Sequence, residues 1–269
     1  MQNYALKYII YIMGLNNDML HIFARKNRGF KAGTQGCMSD FGEAFALALA
    51  MLARFDPDLL SIVLLSLSVS LSAVAIAACI GLPAGAALAI FRFPGRATLV
   101  LLVNAMLGLP PVVVGLAAYL LLSRAGPLGR FGLLFTPGAM VIVQTVLVSP
   151  IITAIVHRAM EDVWARYGDE FQIVGATRIR AIPHLLVIGR RPVLTALLAG
   201  FGRAISEVGA IIIVGGNIAG FTRTMTTTIA LETSKGNLAL ALALGMVLIS
   251  ISSAVNALAF GLAGRRTRS

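Results

Sequence analysis

Five stretches of the chain are apolar for as long as a membrane crossing requires, and this limits the possible folds more than any motif does. A spanning helix takes about 20 mostly apolar residues. The windows Leu59–Phe91, Ala97–Leu122, Gly138–His157, Val193–Gly215 and Leu238–Leu262 all reach that length. Backbone amides in hydrocarbon must find partners inside their own segment, which leaves helices as the simple solution. Of the 269 residues, 58% are hydrophobic and 12% charged, roughly half the charged share of a soluble domain. No single soluble core would hide that many apolar side chains. The chain reads as an all-α integral membrane protein with about five transmembrane helices per subunit.

Two windows carry irregularities. The first is longer than a membrane needs and contains "GLPAG" at Gly81–Gly85, which predicts a kink near Pro83 or an extension into water. The second carries "GLPPVVVG", with Pro110 and Pro111 in mid-span. Proline there frees backbone carbonyls, which is tolerable only beside other helices or a wet cavity, so this helix is expected in the interior. No internal repeat or low-complexity tract is visible. Two cysteines, Cys37 and Cys79, make no disulfide framework. Cys79 is expected to pack as a small hydrophobe.

The formal net charge of +11 raises nucleic acid as a partner. The basic residues are scattered with few aromatics between them, however, and in a membrane protein they act as topology signals. With the loop between the third and fourth windows in the cytoplasm, eleven arginines lie inside: Arg92, Arg96, six from Arg158 to Arg191, and Arg265, Arg266 and Arg268. Five basic residues lie outside from residue 38 onward: Arg54, Arg124, Arg130, Arg223 and Lys235. The basic side is cytoplasmic, giving an outer N-terminus and an inner C-terminus. Residues 1–37 add five more outside charges (Lys7, Arg25, Lys26, Arg28 and Lys31) and nearly erase the asymmetry. Their apolar "YIIYIMGL" is too short to span and precedes no signal-peptide cleavage site. Met38 is therefore expected to be the start. Residues 38–56 would form an outer interfacial segment, with a helix over 41–54 lying on the surface.

The cytoplasmic loop, residues 158–191, is long for so compact a chain. It mixes Glu161, Asp162, Asp169 and Glu170 with six arginines, yet keeps apolar beats at Phe171, Val174, Ile179 and Ile182. The pattern predicts two short amphipathic helices joined near Gly175. They would form either a solvated topology loop or a docking element for a partner.

Asp169–Glu170–Phe171 followed by Gly175 and Ala176 resembles the "EAA" loop of ABC importer permeases. Here Asp169 stands for the glutamate, and Glu170 and Phe171 stand for the alanines. "GFGRAISEVGAIIIVGGNIAGFTRTMTTTIALETSKGNLALALALG" resembles the fourth and fifth spans of tungstate permeases, a subgroup near the molybdate permeases. "SLSVSLSAVAIAACIGLPAGAALAIFRFPGR" and "MLGLPPVVVGLAAYLLLSRAGPLG" are similar to their earlier spans. The likeness covers residues 57–262. It implies a type I ABC importer permease fold for that domain, followed by a basic cytoplasmic tail over 263–269. It also implies a second copy of the chain lining a shared path, cytoplasmic ATPase subunits seated on Asp169, Glu170, Phe171, Gly175 and Ala176, and an extracytoplasmic binding protein that delivers the anion. The implied site is the plasma membrane of a prokaryote, the inner membrane where there are two. ATP would be bound by the partner. The chain itself carries no Gly-x4-Gly-Lys-Ser/Thr phosphate loop, and no cofactor is expected.

Two further places draw attention. Arg203 and Glu207 lie four apart within an apolar run, one helical turn from each other. A lone charge at mid-membrane costs about 2.5–3.5 kcal/mol on insertion scales, and pairing removes part of it. With Ser206 between them, the pair either fixes packing and gating at the translocation interface or meets the anion directly. The outer stretch 216–237 offers Arg223, Thr226 and Thr227 as donors to an oxyanion or its binding protein, against the plainer reading of a polar loop. His157 and Glu161 share helical spacing, but two residues make no metal site, and no nucleophile, base and orienter can be assembled. Two other functions stay open on residues alone: an ion-coupled secondary transporter, and a membrane anchor or assembly protein without transport.

Overall fold

Small residues decide how the first helix packs. The computed structural model describes Phe45, Ala46, Ala50 and residues 57–264. The expectations for 1–37 and 265–269, and most of that for 38–56, lie outside the described residues. The first long element, α1 (Pro57–Ile90), runs 34 residues without interruption through Pro83, or about 51 Å at 1.5 Å per residue. The extra length is therefore extension rather than a break. Ala73, Ala77, Gly81 and Gly85 recur every fourth residue and are buried, giving a flat stripe against which another helix can close in. The partner is the later helix spanning 137–173. A Cβ on Gly85 would stand 2.7 Å from the carbonyl oxygen of Thr153, and one on Gly81 would stand 3.0 Å from Ile152. Cys79 is exposed on the outward face of α1 rather than packed in the core.

The second window forms neither one continuous helix nor an interior one, since of residues 96–122 only Gly115 and Leu122 are buried within its helices. It is split into α2 (Arg96–Met106) and α3 (Pro111–Leu122), bent by 99°. Pro110 is extended (φ −65°, ψ 121°), and Pro111 takes the first position of α3, where proline's missing N–H costs nothing. The doublet starts a helix instead of bending one. After a 3-10 turn (Gly129–Phe131), α4 runs 37 residues from Pro137 to Ile173, with Thr136 capping the Ala139 N–H at 3.4 Å. At about 56 Å it outreaches a hydrocarbon layer of about 30 Å by nearly half its length. The 158–191 loop is thus not two short helices. Its first half continues α4, and only its second half is a separate helix, α5 (Arg178–Ile188).

Next come α6 (Arg190–Ile205), α7 (Gly209–Gly215), α8 (Met225–Lys235) and α9 (Leu238–Gly264). Among the described residues, α1, α4 and Leu238–Val255 are each long and apolar enough to cross a membrane. The bent pairs α2–α3 (99°) and α5–α6 (78°) bring the number of spans to as many as five. The protein is a multi-pass, all-helical membrane protein.

Buried apolar residues fall into two clusters. One joins α1, the middle of α4, α5, α6, α8 and α9 through residues such as Ile90, Ile152, Met160, Leu185, Phe201 and Leu244. The other joins α3, the start of α4 and α7 through Met140, Val143, Leu147, Ala210, Ile211 and Val214.

Candidate functional site

Two places carry the sequence-derived candidates: the tip of the α4–α5 hairpin and the break between α6 and α7. At the tip, Asp169 and Glu170 lie exposed on the last turns of α4. The helix ends through Val174 N–H to Glu170 O (3.2 Å), Gly175 N–H to Gln172 O (3.0 Å) and Ala176 N–H to Phe171 O (2.9 Å). Gly175 sits at φ 73°, a left-handed closure that glycine adopts without a Cβ penalty. Phe171 is half-buried, stacked on Trp164 (6.3 Å, 12°) and edge-on to His184 (6.3 Å). It stiffens the hairpin from within. Ile173 and Val174 are 84% and 83% exposed, and Ile179 and Val187 stand out beside them. An open groove of about 540 Å³ runs past Tyr167, Phe171, Gly175, Arg180 and His184.

At the break, Arg203 and Glu207 do meet, at 2.5 Å, but not along one continuous helix as the fourth window suggested. Helix α6 ends at Ile205, and Ser206, Glu207 and Val208 form an elbow before α7 begins. The Glu207 carboxylate accepts from the Ala210 N–H (3.1 Å). It thereby supplies one of the acceptors that the first turn of α7 lacks, and it is 4% exposed. Ser206 is exposed and donates to Arg203 O at 3.2 Å. Helix α3 presses on the start of α7: a Cβ on Gly115 would lie 2.7 Å from Ala210 Cα, and one on Gly209 would lie 2.8 Å from Val112. The two interrupted windows therefore meet at their breaks.

Thr226 and Thr227 are not open donors on a loop. They occupy the first turn of α8 and are buried. Thr226 donates to Glu207 O (2.8 Å) and Thr227 to Asn217 Oδ1 (2.9 Å). The Thr224 side chain and the Thr227 hydroxyl satisfy each other's backbone amides in a reciprocal cap. The Met225 N–H donates to Ser66 Oγ on α1 (2.8 Å). These threonines hold α8 against the elbow. Arg223 is half-buried. At the far end of α8, hydrogen bonds from Lys235 (3.0 Å) and Asn237 (3.0 Å) hold Glu232 below the ordinary carboxylate range.

A polar cluster that the sequence reading did not assemble fastens α2 to α4. Arg96 Nη2 contacts Glu161 and donates to His157 Nε2 (3.1 Å), while its Nε donates to Leu88 O (2.6 Å). Arginine has only donors, so the histidine nitrogen accepts. Arg158 donates to Asn104 Oδ1 at 2.9 Å. The signal was present as Arg96 and Arg158 at the ends of apolar windows, but its pairing needs the fold.

No protein-family model matches the sequence. The chain is 43% identical over 205 residues to a probable anion ABC transporter permease of Haloferax volcanii, covering 74% of this chain and 88% of that protein. The chain belongs to the permease subunits of anion ABC transporters. The permease is also 37% identical over 225 residues to the tungstate uptake system permease TupB of Peptoclostridium acidaminophilum, covering 84% of this chain and 99% of that one. With TupB of Campylobacter jejuni it shares 34% over 214 residues, 80% of this chain and 90% of the relative.

Proposed function

We propose that this permease imports an oxyanion, tungstate before molybdate or sulfate, as one of two copies lining a common path. The observation that carries the reading is the α4–α5 tip. Two aliphatic side chains, Ile173 and Val174, are left in the open at the end of a helix that runs unbroken from the apolar interior. Exposed apolar patches of this kind mark interaction sites, and a rigid helix carries displacement from one to the other. On this reading the tip is cytoplasmic and Asp169, Glu170, Phe171, Gly175 and Ala176 shape the seat for a separate ATPase. The C-terminus is inside and the N-terminus outside. Arg203, Ser206 and Glu207 form the gate at the elbow. Arg223 is the cation left to meet the anion or a binding protein on the outer side, while Thr226 and Thr227 act from within by bracing the elbow. The substrate follows the two tungstate-uptake relatives.

The test is tungstate accumulation in vesicles holding the permease with its ATPase and binding protein. Uptake that requires ATP, and that molybdate and sulfate compete with only weakly, is expected. Uptake driven by an ion gradient without ATP would establish a secondary transporter. No uptake at normal membrane levels would leave an anchor.

A further inference from the structure

Gln144 lies where the two apolar clusters meet, one turn of α4 from Met140 and from Val148, and it is 1% exposed. Its Nε2 donates to Ala204 O on α6 at 2.9 Å. That carbonyl lies in the last turn of α6, beyond the regular helical donors, and accepting from Gln144 also settles which end of the carboxamide is nitrogen. The Glu207 N–H donates to the same oxygen at 3.2 Å. Donors from α4 and from the elbow's own backbone thus converge on one acceptor. Gln144 Oε1, by contrast, is buried and meets no hydrogen-bond donor among the described residues. An apolar side chain of the same shape would avoid that penalty, so the unpaired oxygen calls for a role.

We infer that Gln144 is a positioning residue for the transport cycle, its amide holding the elbow in the described state and its oxygen taking the Glu207 N–H when α6 and α7 shift. This rests on the elbow being the moving joint proposed above. In the described state the turn Ala204–Glu207 is closed by the Glu207 N–H on Ala204 O. When α5 and α6 move with the tip, that turn opens and the N–H needs an acceptor close by. Gln144 is already at the same carbonyl, so it offers one without admitting water to the seam. The exchange is short, local and reversible, as an alternating gate requires.

The experiment uses the whole permease with its ATPase and binding protein in proteoliposomes, with tungstate as the probe. Gln144→Met keeps the shape and removes both polar atoms. Its expected phenotype is normal membrane level, normal ATPase recovery and retained ATP hydrolysis, with anion moved per ATP down about tenfold, the scale of one hydrogen bond lost from one state. Gln144→Glu supplies both a donor and an acceptor only when its carboxyl is protonated. Relative to wild type at each pH, its uptake should rise as pH falls. Arg203 and Glu207 are the charged groups on the facing elbow and are shared by both proteins. Wild-type coupling in Gln144→Met overturns the inference. If Gln144→Met fails to accumulate, Gln144→Glu decides: a rising acid profile supports the exchange, and a flat profile at any level removes it. Wild-type vesicles with no ATP-dependent uptake would instead defeat the transport reading itself.

Discussion

The tip and the elbow invert each other. At the tip, apolar side chains stand in the open at the polar end of a helix: Ile173 and Val174 are more than four-fifths exposed. At the elbow, polar groups are buried in an apolar surround: Gln144, Glu207, Thr226 and Thr227 have almost no exposure. Neither arrangement serves the stability of an isolated chain, since exposed aliphatics gain nothing from burial and buried polar groups cost free energy unless paired. The tip wants something outside the chain, whereas the elbow already has its partners and invites their rearrangement. Substitutions at the two places should therefore fail in different ways: breaking the ion pair or the close packing at the elbow costs folding, and changing the tip costs assembly.

The largest stability loss is expected for Glu207→Gln. It leaves the Arg203 guanidinium, 32% exposed, without its counter-charge, so the cost lies toward the lower end of the about 3–5 kcal/mol seen when a fully buried pair is broken from one side. Membrane abundance and the unfolding midpoint in detergent should fall together, and adding Arg203→Leu should restore part of both. An unchanged midpoint would place the pair in water. Next comes Gly115→Ala, whose new Cβ would stand 2.7 Å from backbone at Ala210. Overpacking of this kind costs about 1–3 kcal/mol, visible as a lower midpoint with ATPase binding kept by what remains folded. Val174→Asp should move the midpoint by no more than about 0.5 kcal/mol, as surface changes do, yet reduce co-purification with the ATPase severely. A folding defect there would mean the tip packs within its own chain.

The smallest effect concerns acid. Because Lys235 and Asn237 favour the charged form of Glu232, its folded pKa lies below the unfolded one. The stability it contributes is then present above the unfolded value and is lost as pH falls through the folded value. Glu232→Gln should flatten that acid limb of a melting-versus-pH curve by lowering the neutral plateau slightly, with little change at the acid end.

How much of this was legible beforehand depends on what each residue had to reveal. Apolar runs locate α1, α4 and α9 well, because burial in lipid needs only length and composition. Pro110–Pro111 announced an irregular span, but as an interior helix with freed carbonyls; that the second proline opens α3 after a 99° bend follows from its place at the first helical position. The elbow escaped because "AISEVGA" holds no proline, and Arg203 and Glu207 four apart fit an unbroken helix equally well. Only the Glu207 carboxylate accepting from Ala210 N–H distinguishes a cap from a helical pair. Thr226 and Thr227 looked like loop donors because their partners, Glu207 O and Asn217 Oδ1, lie 19 and 10 residues away in sequence. Gln144 was passed over as one polar residue in an apolar window, although a side chain of that kind in a membrane span is costly enough to be worth a question.

The central claim is that the α4–α5 tip grips a nucleotide-driven partner and moves the elbow. Its most direct test is ATP-driven tungstate uptake by vesicles carrying the double variant Ile173→Asp, Val174→Asp. A permease that inserts and melts as wild type does, but no longer retains the ATPase and no longer accumulates the anion, is the predicted result. Undiminished ATP-driven uptake by that variant would contradict the account.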